Sequence, residues 1–125
     1  MKIVAPMPPN LANARLHWRT KHSEKKKYWM RLDLLQDLKE IPKPPAVPMQ
    51  CASISSVMYL GAAMDDGNAM NRHKWVEDWL TTRGYIADDR KKNLKWLSFP
   101  EQIVKRGGDY RIEITLTELS QSAAA

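Results

Sequence analysis

The chain has 125 residues, a net charge of +6 from 20 Lys and Arg against 14 Asp and Glu, 43% hydrophobic and 27% charged residues. That length and balance fit one globular domain and exclude wholesale disorder. A lone Cys51 excludes an internal disulfide and a thiolate zinc framework, and points to a reducing compartment.

The first predicted element is a short strand at Lys2–Val4, ended by Pro6-Met7-Pro8-Pro9-Asn10. Those prolines interrupt the apolar run a signal peptide needs, and no segment reaches the roughly 20 apolar residues of a membrane span. A cytoplasmic protein without a membrane partner is expected. The stretch carrying Asn13, Arg15, Leu11, Leu16 and Trp18 reads as an ordered loop. A helix is predicted over 23–38, with Ser23 as N-cap and an apolar stripe of Tyr28, Leu32 and Leu35 thickened by Trp29, Leu34 and Leu38. Its first turn then holds Lys25, Lys26 and Lys27, where the helix dipole disfavours cations. The run reads either as a surface kept basic for a ligand or as solvated lysines.

Ile41-Pro42-Lys43-Pro44-Pro45-Ala46-Val47-Pro48 ends that helix and forms an extended connection. A strand buried largely on both faces is predicted over 51–60, then a second helix over 69–82 closed by Gly84 at C′. A strand-like piece at 94–97 follows. Gly107-Gly108-Asp109 reads as a hairpin turn before a strand at 110–119, in which Tyr110, Ile112, Ile114 and Leu116 share a face. The expected fold is α+β: a small mixed sheet with two main helices in one domain over 1–119, and a frayed tail over 120–125.

Chemistry concentrates at Met64-Asp65-Asp66-Gly67-Asn68, between the central strand and the second helix, with Asp88-Asp89 after that helix. Acids two apart on extended backbone share a side and suit a hard, oxygen-preferring cation such as Mg²⁺. The alternative is that Asp65 and Asp66 cap the helix while Asp88-Asp89 makes a turn. Lys74 and Asp78 are four apart and form either an exposed pair or a phosphate contact beside the acids. Trp75 and Trp79 read as core or subunit interface, and His73 has no second ligand at metal spacing. No phosphate loop, no G-x-S-x-G motif and no Cys/His pair is present, so a covalent nucleophile has no support. The positive charge favours nucleic acid over anionic lipid or an acidic protein as partner.

Pro6-Met7-Pro8-Pro9-Asn10-Leu11-Ala12-Asn13 resembles the N-terminal motif of RusA-type Holliday junction resolvases. The block Asp65-Asp66-Gly67-Asn68, Arg72, Lys74, Asp78, Leu80, then Gly84-Tyr85-Ile86-Ala87-Asp88-Asp89, is similar to that family's metal-binding core. The resemblance spans nearly the whole chain. It implies a homodimer that uses Mg²⁺, with Mn²⁺ as a substitute, to nick four-way DNA junctions in pairs. It assigns catalysis to Asp65, Asn68, Lys74 and Asp89, and the metal to Asp65 and Asp89 with Asp66 beside them. Asn13, Arg15, Arg19, Lys21, Lys25, Lys26, Lys27 and Arg72 become the expected DNA contacts. One position departs: Gly67 stands where the family's Asp-x-Asp-Asn pattern has its second acid. Three functions follow as expectations: a structure-selective endonuclease impaired at Gly67, an inactive branched-DNA binder, or a basic interaction module whose acids are only caps.

Overall fold

A computed structural model describes residues 1–9 and 18–120. Its elements are β1 (Lys2–Pro6), α1 (Trp18–Asp37), β2 (Ala52–Leu60), α2 (Asp66–Thr82), β3 (Leu94–Trp96), β4 (Glu101–Val104) and β5 (Arg111–Glu118). The predicted α+β architecture, two helices with one mixed sheet, is what the chain adopts. Asn13 and Arg15 lie outside the described residues, as does the tail beyond Ser120.

β2 is the centre of the sheet because its Ile54, Met58 and Leu60 alternate at the strand period and all point into the core. β5 runs antiparallel along one side of β2 and β1 antiparallel along β5. The other side of β2 is shared by two short parallel strands, β3 against Ala52–Ile54 and β4 against Val57–Leu60. Ile3, Ile54, Met58, Ile112, Ile114 and Leu116 meet Leu32 of α1 and Val76, Trp79 and Leu80 of α2 in one buried cluster.

Several boundaries differ from the sequence reading. α1 begins at Trp18, so Ser23 lies inside it and is no cap, and Lys25–Lys27 sit beyond the first turn. The dipole falls off within that turn, so the anticipated conflict largely disappears. Leu34 and Leu38 are exposed rather than part of the stripe. β2 is fully covered on one face, while Ser55, Val57 and Tyr59 on the other are half-buried. β4 stands where the sequence predicts no element. It makes Gly107-Gly108-Asp109 a turn but not a hairpin, because β4 and β5 flank opposite sides of β2 and do not pair. Gly107 has φ of 73°, the left-handed conformation that glycine adopts without a Cβ clash. Tyr110 falls outside β5 and is half exposed. α2 starts at Asp66, three residues earlier than expected, and Gly84 follows it with φ of 84° as the expected C′ residue.

The helices are locked together by a polar cluster. Asp33 on α1 accepts from Arg83 Nε at 2.8 Å, Arg83 Nη2 at 2.9 Å and the indole of buried Trp79 at 2.9 Å. The Arg83 hydrogen bonds hold the Asp33 carboxyl below its ordinary range. A depressed folded-state pKa gives stability that is present above the unfolded value and lost as pH falls through the folded one. Asp33→Asn should therefore lower stability at neutral pH by about 1 kcal/mol. The loss should shrink below the ordinary carboxylate range near pH 4, where the wild type loses its own advantage. Urea melts at pH 7 and pH 3 measure both values.

Candidate active site

α2 begins where the chain leaves the carboxyl end of β2, a usual location for ligand sites in sheets with parallel strands. Asp65 is the N-cap: its Oδ1 accepts from the Asn68 backbone N–H at 2.8 Å and its Oδ2 from Asn68 Nδ2 at 2.9 Å. The capping alternative is therefore met at Asp65. Asp66 is an exposed acid in the first turn, favourable against the dipole. Because Asp66 and Gly67 are helical, the extended-strand alternation expected for these acids does not apply. Successive residues are instead turned by about 100°.

Further along α2, Lys74 ion-pairs with Asp89, from the segment between helix and β3, and with Asp78 Oδ1 at 3.3 Å. Asp78 Oδ2 accepts from Lys25 Nζ of α1 at 3.0 Å. Lys25, Asp78, Lys74 and Asp89 thus form a row of alternating charges across three segments of the chain. Burial pulls the Lys74 ammonium down, but its hydrogen bond to Asp89 and the two carboxylate charges outweigh this and leave its pKa raised. The same hydrogen bond depresses Asp89, whose backbone N–H is also held by Asp88 Oδ1 at 2.7 Å. Lys74 is therefore a fixed cation at neutral pH.

No hydrogen bond or ion pair among the described residues joins the Asp65–Asn68 pair to the Lys74–Asp89 pair. The Lys74 ammonium is held instead by Asp78, one turn further along α2, and by Asp89 beyond the helix. Gly67 lies seven residues before Lys74 and eleven before Asp78, on the same helical stripe. A Cβ built at Gly67 would meet only the Asp65 carboxylate, at 3.4 Å.

Of the expected DNA contacts, Lys21, Lys26 and Lys27 are exposed on α1, with Lys27 paired to Glu24 at 3.3 Å. Arg19 stacks over Trp18 at 5.4 Å. Arg72 is half-buried and its Nε donates to the Pro8 carbonyl at 2.7 Å, which fastens the proline segment to α2. Trp79 is core, and Trp75 packs against it half-buried.

In sequence His73 is weighed only as a metal ligand, and its pairing with Glu77 goes unread. Both are buried, with His73 Nδ1 and Glu77 Oε1 3.1 Å apart and the imidazole edge-on to Trp96. Their i,i+4 spacing on the apolar side of α2 is a usable signal for a buried polar pair.

Among the described residues no three His, Cys, Asp or Glu side chains form a ready-made metal cage. Mg²⁺ does not require one, since it keeps several waters and takes one or two carboxylates plus substrate phosphates. The exposed carboxylates of Asp65 and Asp66 are oxygen donors of that kind, with Asp65 oriented by Asn68. Also among the described residues, no helix is long and apolar enough to cross a membrane. No protein-family model matches the chain, and no curated protein matches it.

Proposed function

We propose that this protein acts on branched DNA as a metal-dependent, structure-selective endonuclease of the Holliday junction resolvase type, working as a homodimer. The observation that carries the reading is the Lys74–Asp89 contact. It joins two motif blocks that are separated in sequence and that the resemblance assigns to one site.

Asp65 and Asp89 would hold Mg²⁺ or Mn²⁺, with Asp66 beside them, and the ion would supply charge neutralisation at the scissile phosphate. Lys74, fixed between Asp78 and Asp89, offers its ammonium to the same phosphate oxygens. Asn68 keeps the Asp65 carboxylate in one orientation through two hydrogen bonds. Lys21, Lys25, Lys26 and Lys27 on α1 supply sequence-independent phosphate contacts. Two copies suit a four-way junction, which presents two symmetry-related strands.

A second reading, junction binding without cleavage, is favoured by Gly67 and by the engagement of both Asp65 oxygens with Asn68. Both readings require preference for the branch. Competition between a four-way junction and a linear duplex of the same sequence should favour the junction by at least about tenfold. Equal affinity would leave only the basic-module reading.

The salt dependence of binding locates the surface. Changing Lys25, Lys26 and Lys27 together to Gln should weaken binding to all DNA and reduce the slope of log affinity against log salt by about 2 to 3. An unchanged slope would move the DNA surface away from α1.

A further inference from the structure

Lys25 belongs to the charge row described above, and it also lines a cleft of about 360 Å³ between α1 and the end of α2. That volume is in the range of small-molecule sites. The cleft's apolar wall is Trp29 and Met30, and its charged rim is His22, Lys25, Lys26, Asp33 and Arg83. Four of these groups are already fixed. The Trp29 indole donates to the Trp75 carbonyl at 3.0 Å, Asp33 clamps Arg83 through two hydrogen bonds, and Asp78 holds Lys25. The Lys25 and Arg83 cations lie 5.1 Å and 5.6 Å from the Trp29 ring centre. Lys26 and His22 make no hydrogen bond or ion pair among the described residues, and Met30 is 63% exposed.

We propose that this cleft holds one unpaired nucleotide of a DNA strand, its base against Trp29 and Met30 and its phosphate against Lys26 and His22. The lining asks for a ligand that is both flat and apolar and anionic. A bare anion leaves Met30 in water, and a neutral apolar ligand leaves Lys26 uncompensated, since Lys25 and Arg83 already have carboxylate partners. A nucleotide meets both demands, as aromatic platforms beside basic residues do for single strands. The inference rests on the nucleic-acid reading and deepens it. Through Lys25 and Asp78 the cleft adjoins Lys74, so a strand opened at a branch point would be held beside the candidate active site.

The test uses the full-length ¹⁵N-labelled protein and a single-stranded thymidine trinucleotide, following the Trp29 indole N–H signal, which is identified by its absence in Trp29→Phe. A saturable shift with the trinucleotide, and little with inorganic phosphate at equal concentration, is expected. Met30→Ala, an exposed and charge-neutral change, should weaken trinucleotide binding about fivefold. Lys26→Gln should weaken binding of both ligands. Equal shifts with phosphate, or full affinity in Met30→Ala, would overturn the nucleotide site. If the Trp29 signal stays still while four-way junctions are bound, the cleft proposal fails and the branched-DNA reading stands. Loss of junction binding as well removes both.

Discussion

Lys74→Met is expected to lower junction cleavage by about 100- to 1,000-fold, the usual cost of removing one preorganised group that stabilises transition-state charge. Lys74 is half exposed, yet it is held by Asp89 and Asp78 from two segments. Its position is therefore set before any DNA arrives. The stability cost should be no more than about 1 kcal/mol, because the pairs are solvent-accessible. Removing the ammonium also leaves Asp78 and Asp89 to repel the backbone, so binding should weaken far less than cleavage but measurably. Single-turnover cleavage, gel shifts and urea melts on the same variant separate the three quantities. A variant that binds and cleaves like wild type would show that Lys74 is only a structural partner of Asp89.

Gly67→Asp is the second large effect, in the opposite direction. The position is in the first turn of α2, open to solvent, with only the Asp65 carboxylate beside a new Cβ. Replacing a helical Gly by Asp is favourable by only about 0.3 kcal/mol in propensity, and an acid near the N-terminus adds about 0.3–1 kcal/mol. Repulsion from Asp65 offsets much of this without a cation. Thermal stability should therefore rise more in Mn²⁺ or Mg²⁺ than the wild type's does, as expected when an ion binds the folded state. The new carboxylate also faces along the Lys74–Asp78 stripe, whereas Asp66 is turned about 100° away from it. Cleavage should increase by at least about tenfold, equivalent to about 1.4 kcal/mol of barrier. If Asp66 already serves as the second acid, Asp66→Asn will be inactive and Gly67→Asp neutral. Assayed together, the two variants decide which acid completes the site.

The parts of this molecule that were legible in sequence are those where one interaction dominates. β2 and β5 follow from alternation over eight or nine residues, and the end of α2 from Gly84. The start of α1 was hidden because residues 18–27 are polar nearly all round. The helix is fastened to α2 further along, by Lys25 on Asp78 and Trp29 on the Trp75 carbonyl. β4 was hidden because Glu101-Gln102-Ile103-Val104 is short, mostly exposed and paired to β2 alone among its neighbours. The candidate site divides in the same way. Its residue types and their order were readable, since Asp65, Asn68, Lys74 and Asp89 stand at recognisable spacings. Their partners were not, because Lys74 with Asp89 and Lys25 with Asp78 are long-range ion pairs. Asp33 with Arg83 and the buried His73–Glu77 pair were missed for a related reason: charged residues on a helix are read by default as solvent-facing.

The most direct test is cleavage of a four-way junction by the wild type and by Asp65→Asn in Mg²⁺, with the linear duplex alongside. Asn caps a helix about as well as Asp, so this variant removes the carboxylate charge while keeping the start of α2. Junction-selective nicks by the wild type that disappear in Asp65→Asn, with junction binding retained, are the expected result. Cleavage by Asp65→Asn at the wild-type rate, or a wild type that neither prefers nor cuts the junction, would contradict it.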